Sequence, residues 1–125
     1  MGVVSPDASA IVDAYLAGLE GETRRVAPGE WGLTVEAAGW PLHVGVAIRD
    51  GLLRAQGEVV GAGQLAPEAL LRWNRGLPFV RFTHTGAGDV WVEGDLPLDA
   101  VSAGQLDRFL GLLVRVATEA REAAR

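Results

Sequence analysis

PEALLRWNRGLPFVRFTHTGAGDVWVEGDLPL, residues 67–98, carries two signals whose order decides the fold. Pro67 to Arg75 reads as a short amphipathic helix, opened by a proline whose missing N–H is harmless at the first helical position. Phe79 to Leu98 reads as a hairpin with alternating arms, Phe79 to Thr85 and Asp89 to Asp95, joined by Gly86-Ala87-Gly88. That loop sets Phe82 opposite Val92, His84 opposite Val90 and Arg81 opposite Glu93, a favourable cross-strand charge pair. Trp91 then falls beside Thr83 on the second face.

Downstream, Ser102 with Gln105 three residues later forms a capping box for a long helix from Ala103 to about Ala124. Leu106, Leu110, Leu113 and Ala117 make one stripe on it, and Phe109, Leu112, Val116 and Ala120 a second beside it. Together they are wider than one sheet contact needs. Gly111 sits mid-helix at a cost of about 1 kcal/mol relative to Ala, which close approach of another backbone would justify. The polar tail from Glu119 to Arg125 is expected to fray.

Upstream, Ser5 suits a helix cap, Pro6 the first helical position and Asp7 the first turn. Ile11, Val12, Tyr15, Leu16 and Leu19 recur at helical spacing, and Gly21 ends the run. Trp31 to Ala37 alternates as a strand, with Trp31, Leu33 and Val35 on one face. Leu42 to Arg49 is a second strand. Asp50-Gly51 is a two-residue turn in which both residues want positive φ. The turn sets Ile48 opposite Leu53, Val46 opposite Ala55, Val44 opposite Gly57 and Leu42 opposite Val59, so the apolar faces coincide. On the other face His43 falls opposite Glu58 and Ala47 opposite Arg54. The whole chain therefore reads α-β-β-β-α-β-β-α. This is one α+β domain over residues 1–125, an antiparallel sheet of about five strands with the first and last helices on one face.

Composition narrows the function. The chain has 125 residues, enough to bury a core without disulfides or metals, and it has no cysteine to make either a disulfide or a thiolate site. Its net charge of -5 and its scattered arginines disfavour nucleic acid as a partner. No apolar run approaches the roughly 18 residues of a membrane span and no secretory signal is visible, so the expected location is cytoplasmic.

Candidate chemical motifs have plainer readings. Gly61-Ala62-Gly63-Gln64-Leu65-Ala66 matches a dinucleotide fingerprint, but the strand before it alternates and the segment after it is an antiparallel hairpin. His43 with Glu58 offers two metal ligands and implies no third, so no metal or other cofactor is expected. His84 reads as a histidine at a hairpin end. Ser5 and Ser102 are caps rather than nucleophiles, and Glu93, Asp95 and Asp99 are a solvated strand end without a cleft. No catalytic set emerges.

The run Leu70-Leu71-Arg72-Trp73-Asn74-Arg75, the strand Phe79 to Phe82, then Gly88 to Glu93 and Asp95-Leu96-Pro97-Leu98 before a helix, is similar to the YbjN family. That family in turn resembles class I type III secretion chaperones, whose element order is the one read above. At residue level the likeness lies between Leu70 and Leu113; before that it is one of element order. The resemblance implies a homodimer without enzymatic activity that binds other protein.

Two site expectations follow from the residues. The sheet face away from the helices should present Leu52 and Trp91, framed by Arg49, Arg54 and Arg81, to an extended client segment. Phe109, Gly111, Leu112 and Val116 should form the dimer contact. The alternative is a small-molecule or nucleotide-binding regulatory domain that uses the loop from Gly61 to Pro67.

Overall fold

The structure, a computed structural model, describes residues 7–125. The expected cap Ser5 and first-turn Pro6 lie outside the described residues. Helix α1 spans Ala8–Ala17, and Asp7 is itself the N-cap, its carboxylate accepting from the Ser9 N–H at 3.1 Å. Then come strands β1 (Glu22–Ala27), β2 (Glu30–Ala37), β3 (Trp40–Arg49) and β4 (Leu52–Val60), helix α2 (Pro67–Asn74), strands β5 (Val80–His84) and β6 (Val90–Pro97), a 3-10 turn at Leu98–Ala100 and helix α3 (Ala103–Ala123). The six strands form one antiparallel sheet in the order β1-β2-β3-β4-β6-β5.

The sheet thus has six strands rather than about five. The additional strand, β1, reads Glu-Thr-Arg-Arg-Val-Ala, which lacks apolar alternation because it is an edge strand with both faces partly in water. The turn Pro28-Gly29, with Gly29 at φ 72°, joins it to β2.

The expected registers hold where the ladders are regular. Asp50 and Gly51 adopt φ 53° and 74°, and β3 pairs with β4 from Arg49–Leu52 through Ile48–Leu53 and Val46–Ala55 to Val44–Gly57. The ladder stops there, short of the expected Leu42–Val59 and His43–Glu58 pairs; β4 bulges between Glu58 and Val60 against β6. In the second hairpin Arg81–Glu93, Phe82–Val92, Thr83–Trp91 and His84–Val90 are all partners.

One sheet face is covered by α1 and α3. Val12 and Leu16 of α1 and Leu106, Phe109, Leu110, Leu113, Val116 and Ala117 of α3 are buried on Leu33, Val44, Val46, Leu53, Val92 and Leu96. Trp31 is core, and its indole N–H donates to Asp13 of α1 at 2.6 Å. The helix sits so close at β6 that a Cβ on Gly94 would lie 2.5 Å from the Phe79 carbonyl oxygen and 2.7 Å from the Phe109 ring. Ser102 caps α3, accepting from the Gln105 N–H at 3.1 Å, but only half of the capping box forms: Gln105 Oε1 is buried without a partner.

Two expectations for α3 are corrected. The second stripe is not a surface: Phe109 and Val116 have no exposure at all in the single chain, because the curved sheet wraps enough of the helix to bury both stripes. Of the four expected dimer residues, only Gly111 and Leu112 reach the surface. The tail does not fray either. Arg121 is 3% exposed, and its guanidinium donates to five carbonyls, those of Ala37, Trp40, Pro41, Glu58 and Val59, at 2.8–3.2 Å. It also lies 3.3 Å from the centre of the Trp40 ring. Burial lowers its pKa from the usual arginine value, and the charge of Glu58 opposes that shift. Arg125 donates to the Ala38 carbonyl one turn on. The last turn of α3 therefore clamps the β2–β3 turn and the end of β4.

The sheet edges differ. The carboxamide of Asn74, at the end of α2, accepts from the Phe82 N–H at 2.7 Å and donates to the Phe82 carbonyl at 3.0 Å. It closes the outer edge of β5 as a paired strand would. Trp73 packs on Phe82 with ring centres 5.0 Å apart. The edge of β1 is instead bulged between Arg25 and Ala27 and carries Glu22, Arg24 and Arg25.

Candidate functional site: the helix-free face of the sheet

Alternation along each strand sends every second side chain to the face without helices. Registers then align these residues into rows across the sheet. One row runs Arg24, Gly32, Gly45, Gln56, Glu93, Arg81 from β1 to β5. A neighbouring row carries Glu30, Ala47, Arg54 and Asp95.

The two halves of this face differ. Over β4, β6 and β5 the charges satisfy one another. Arg54 bonds Asp95 at 2.8 Å; Arg81 reaches Glu93 at 3.1 Å and Asp95 at 3.2 Å; Thr83 donates to Glu93 at 3.3 Å. Burial acts to raise the Asp95 pKa, but the bonds and charges of Arg54 and Arg81 outweigh it and hold the carboxyl below its ordinary value. Over β2 and β3 the floor is Gly32, Gly45 and Ala47, with almost no side chain standing on it. The result is an open trough of about 660 Å³, with Arg24 on one side and Arg54, Gln56 and Trp91 on the other.

Four of the five residues expected to bind a client lie at this trough or on its rim. Arg49, Arg54 and Trp91 line it, and Arg81 stands behind through Glu93. Leu52 does not: it shares the face but lies at the far end of β4, between Arg49 and Pro97. None of the three expected arginines is free, because Arg49 also pairs with Glu30 at 3.5 Å. Sequence reading missed Arg24 and the glycine floor. The missing strand β1 hid the first, and glycines on an outward face give no periodic signal. The Gly32–Gly45 pairing would have shown it once β2 and β3 were aligned.

The other candidates resolve simply. His43 Nδ1 lies 3.0 Å from Thr34 Oγ1, not against Glu58, and among the described residues no group of three or more metal-ligating side chains converges. His84 is exposed, with Nδ1 2.8 Å from the Thr85 carbonyl. In the glycine loop the Ala62 N–H donates to the Asp89 carboxylate at 3.2 Å, so an anion already occupies a group that a phosphate would need. A second, smaller depression of about 320 Å³ lies along α3, lined by Phe79, Arg108, Gly111, Leu112 and Arg115. No helix among the described residues is long and apolar enough to cross a membrane.

Comparison with known proteins agrees with this architecture. The fold is similar to that in the structure of the HopA1-SchA chaperone–effector complex, with a TM-score of 0.70 at 15% identity, over 90% of this chain and 91% of that one. It is similar to the Yersinia pestis type III secretion chaperone SycH in complex with a fragment of YscM2, at 0.68 and 23%, over 90% and 98%. It is also similar to the Pseudomonas aeruginosa ExoU-SpcU complex, at 0.60 and 16%, over 90% and 96%. The α+β architecture is therefore that of type III secretion chaperones. No curated protein matches in sequence. A family model described as "Putative bacterial sensory transduction regulator" matches residues 42–125, from β3 to the end of α3. With about two thirds of its length matched, the chain belongs to the YbjN family.

Proposed function

We propose that the chain is a non-catalytic, chaperone-like module that works as a homodimer and holds a segment of a client protein on the helix-free face of its sheet. The observation that carries this reading is the uncovered trough on a sheet whose other face is fully packed. Antiparallel sheets tolerate one wet face, but ordinarily a polar one; a bare glycine floor leaves backbone and Trp91 open to a partner. The shared fold supports the reading, since the similar structures are of chaperones held with effectors or with another protein fragment. Strand addition is the less favoured mode, with one edge closed by Asn74 and the other bulged and charged.

The test starts with a pull-down by the tagged chain to obtain a client. Trp91→Ala with Leu52→Ala should then weaken its binding while thermal stability stays within a few degrees. Unchanged affinity would move the site off this face. Dimerisation is a separate claim, supported by Gly111, where an added Cβ meets nothing within 4 Å, and by Phe79 beside it, 39% exposed. Sedimentation should give about twice 13.2 kDa; a clean monomer at micromolar concentration removes the dimer and leaves client binding standing.

A further inference from the structure

Resting on the proposed client-binding face, we infer that its occupant is an amphipathic helix of a partner protein, laid along the β2–β3 trough with an acidic flank toward Arg24. Three observations converge. The first is width. The walls stand on β1 and β4, three strand spacings apart, or about 14 Å. A helix with its side chains is about 10–12 Å across, whereas an extended segment would leave much of the floor wet. The second is the floor. Gly32 and Gly45 are directly paired across β2 and β3, and Ala47 adds only a methyl group beside them. A Cβ at Gly45 would meet nothing within 4 Å, so its absence serves no contact inside the chain. The missing side chains let the backbone of a small-faced helix approach closely, as a helix does at Gly94 on the opposite face.

The third is charge. Arg49 pairs with Glu30, Arg54 with Asp95 and Arg81 with Glu93 and Asp95. Arg24 makes no ion pair among the described residues. Its guanidinium carbon lies 3.4 Å from where a Cβ of Gly32 would stand, so the cation lies over the edge of the floor. A carboxylate on the flank of an incoming helix is its natural partner, while the chain's net charge of -5 sets a repulsive background that makes this local cation selective.

Fluorescence anisotropy with three synthetic peptides tests this. The first is a labelled 20-residue helix with an Ala/Leu stripe and a Glu flank. The second replaces every Glu by Lys. The third carries a central proline that breaks the helix. The full chain should bind the first and show at least tenfold weaker binding to the other two. Gly45→Phe, which fills the trough without an internal clash, should weaken the first peptide at least tenfold with no fall in melting temperature. Arg24→Glu should invert the preference between the Glu and Lys peptides. Equal binding of the Glu and Lys peptides, tighter binding of the proline peptide, no binding of any peptide, or an unmoved Gly45→Phe would overturn the inference. A client that binds through Trp91 but ignores Gly45→Phe and Arg24→Glu would overturn it while leaving the broader reading intact.

Discussion

The helix-free face has two halves built on opposite principles. Over β4, β6 and β5, long charged side chains lie down on one another, with Arg54, Arg81, Thr83, Glu93 and Asp95 sharing five contacts and Asn74 closing the strand edge. Over β2 and β3, glycines replace side chains and nothing lies down at all. The difference teaches where to look for a partner. A satisfied polar surface gains little from a partner, because its groups must first give up good bonds. A bare floor with one uncommitted cation at its rim has more to gain.

The open half is held from beneath by Arg121, and removing that support gives the largest expected effect. Arg121→Met should destabilise the chain by about 3–5 kcal/mol, since it strands buried carbonyls that lose a charged donor. Chemical denaturation measures the loss, and hydrogen exchange should show the amides around Trp40 opening first. Arg121→Lys should recover only part, because an ammonium cannot span five carbonyls in one plane. A neutral Arg121→Met would mean that the β2–β3 turn stands without the helix.

The closed half breaks at its edge. Asn74→Ala should cost about 1–3 kcal/mol, by unpairing the Phe82 N–H and carbonyl. It should also make β5 sticky, seen as concentration-dependent association in light scattering. Retained stability with no association would show that the edge needs no closure.

A smaller effect follows from Asp95. Its folded-state pKa is depressed, so its contribution to stability is present above the unfolded value, near pH 4, and is lost as pH falls through the folded value. Asp95→Asn should remove under about 1 kcal/mol at neutral pH, because the network is partly exposed. It should also flatten the acid limb of stability below that point. An unchanged limb would mean that the network is ornamental. Smallest of all, Gly45→Thr should leave stability unchanged or slightly raised, since a β-branched residue suits a strand and meets no neighbour. A large loss there would refute the open floor.

The two halves were unequally legible in the sequence. The hairpin of β5 and β6 could be read to the residue, because turn length, alternation and the Arg81–Glu93 pair all specify one register. The β3–β4 register followed from Asp50-Gly51 in the same way. Strand β1 escaped because Glu-Thr-Arg-Arg-Val-Ala has no apolar face; only Pro28-Gly29 marked a turn after it. With β1 unread, Arg24 had no place in the sheet and the trough had only one wall. Arg121 escaped for a different reason. A lone arginine among Glu and Ala in a helix tail looks solvated, and the five carbonyls that hold it come from residues 62 to 84 positions away. The two stripes of α3 were read correctly as apolar but credited to a second copy, because sequence spacing does not reveal how far a curved sheet wraps a helix.

The most direct test of the account is site-specific crosslinking. A photoreactive benzophenone side chain is placed singly at positions 45, 91 and 119 of the full chain and irradiated in cells. Covalent protein adducts should form strongly at 45, more weakly at 91, and not at 119 on the exposed flank of α3. Adducts at 119 with none at 45 would contradict the claim that the glycine-floored half of the sheet is where this protein holds its partner.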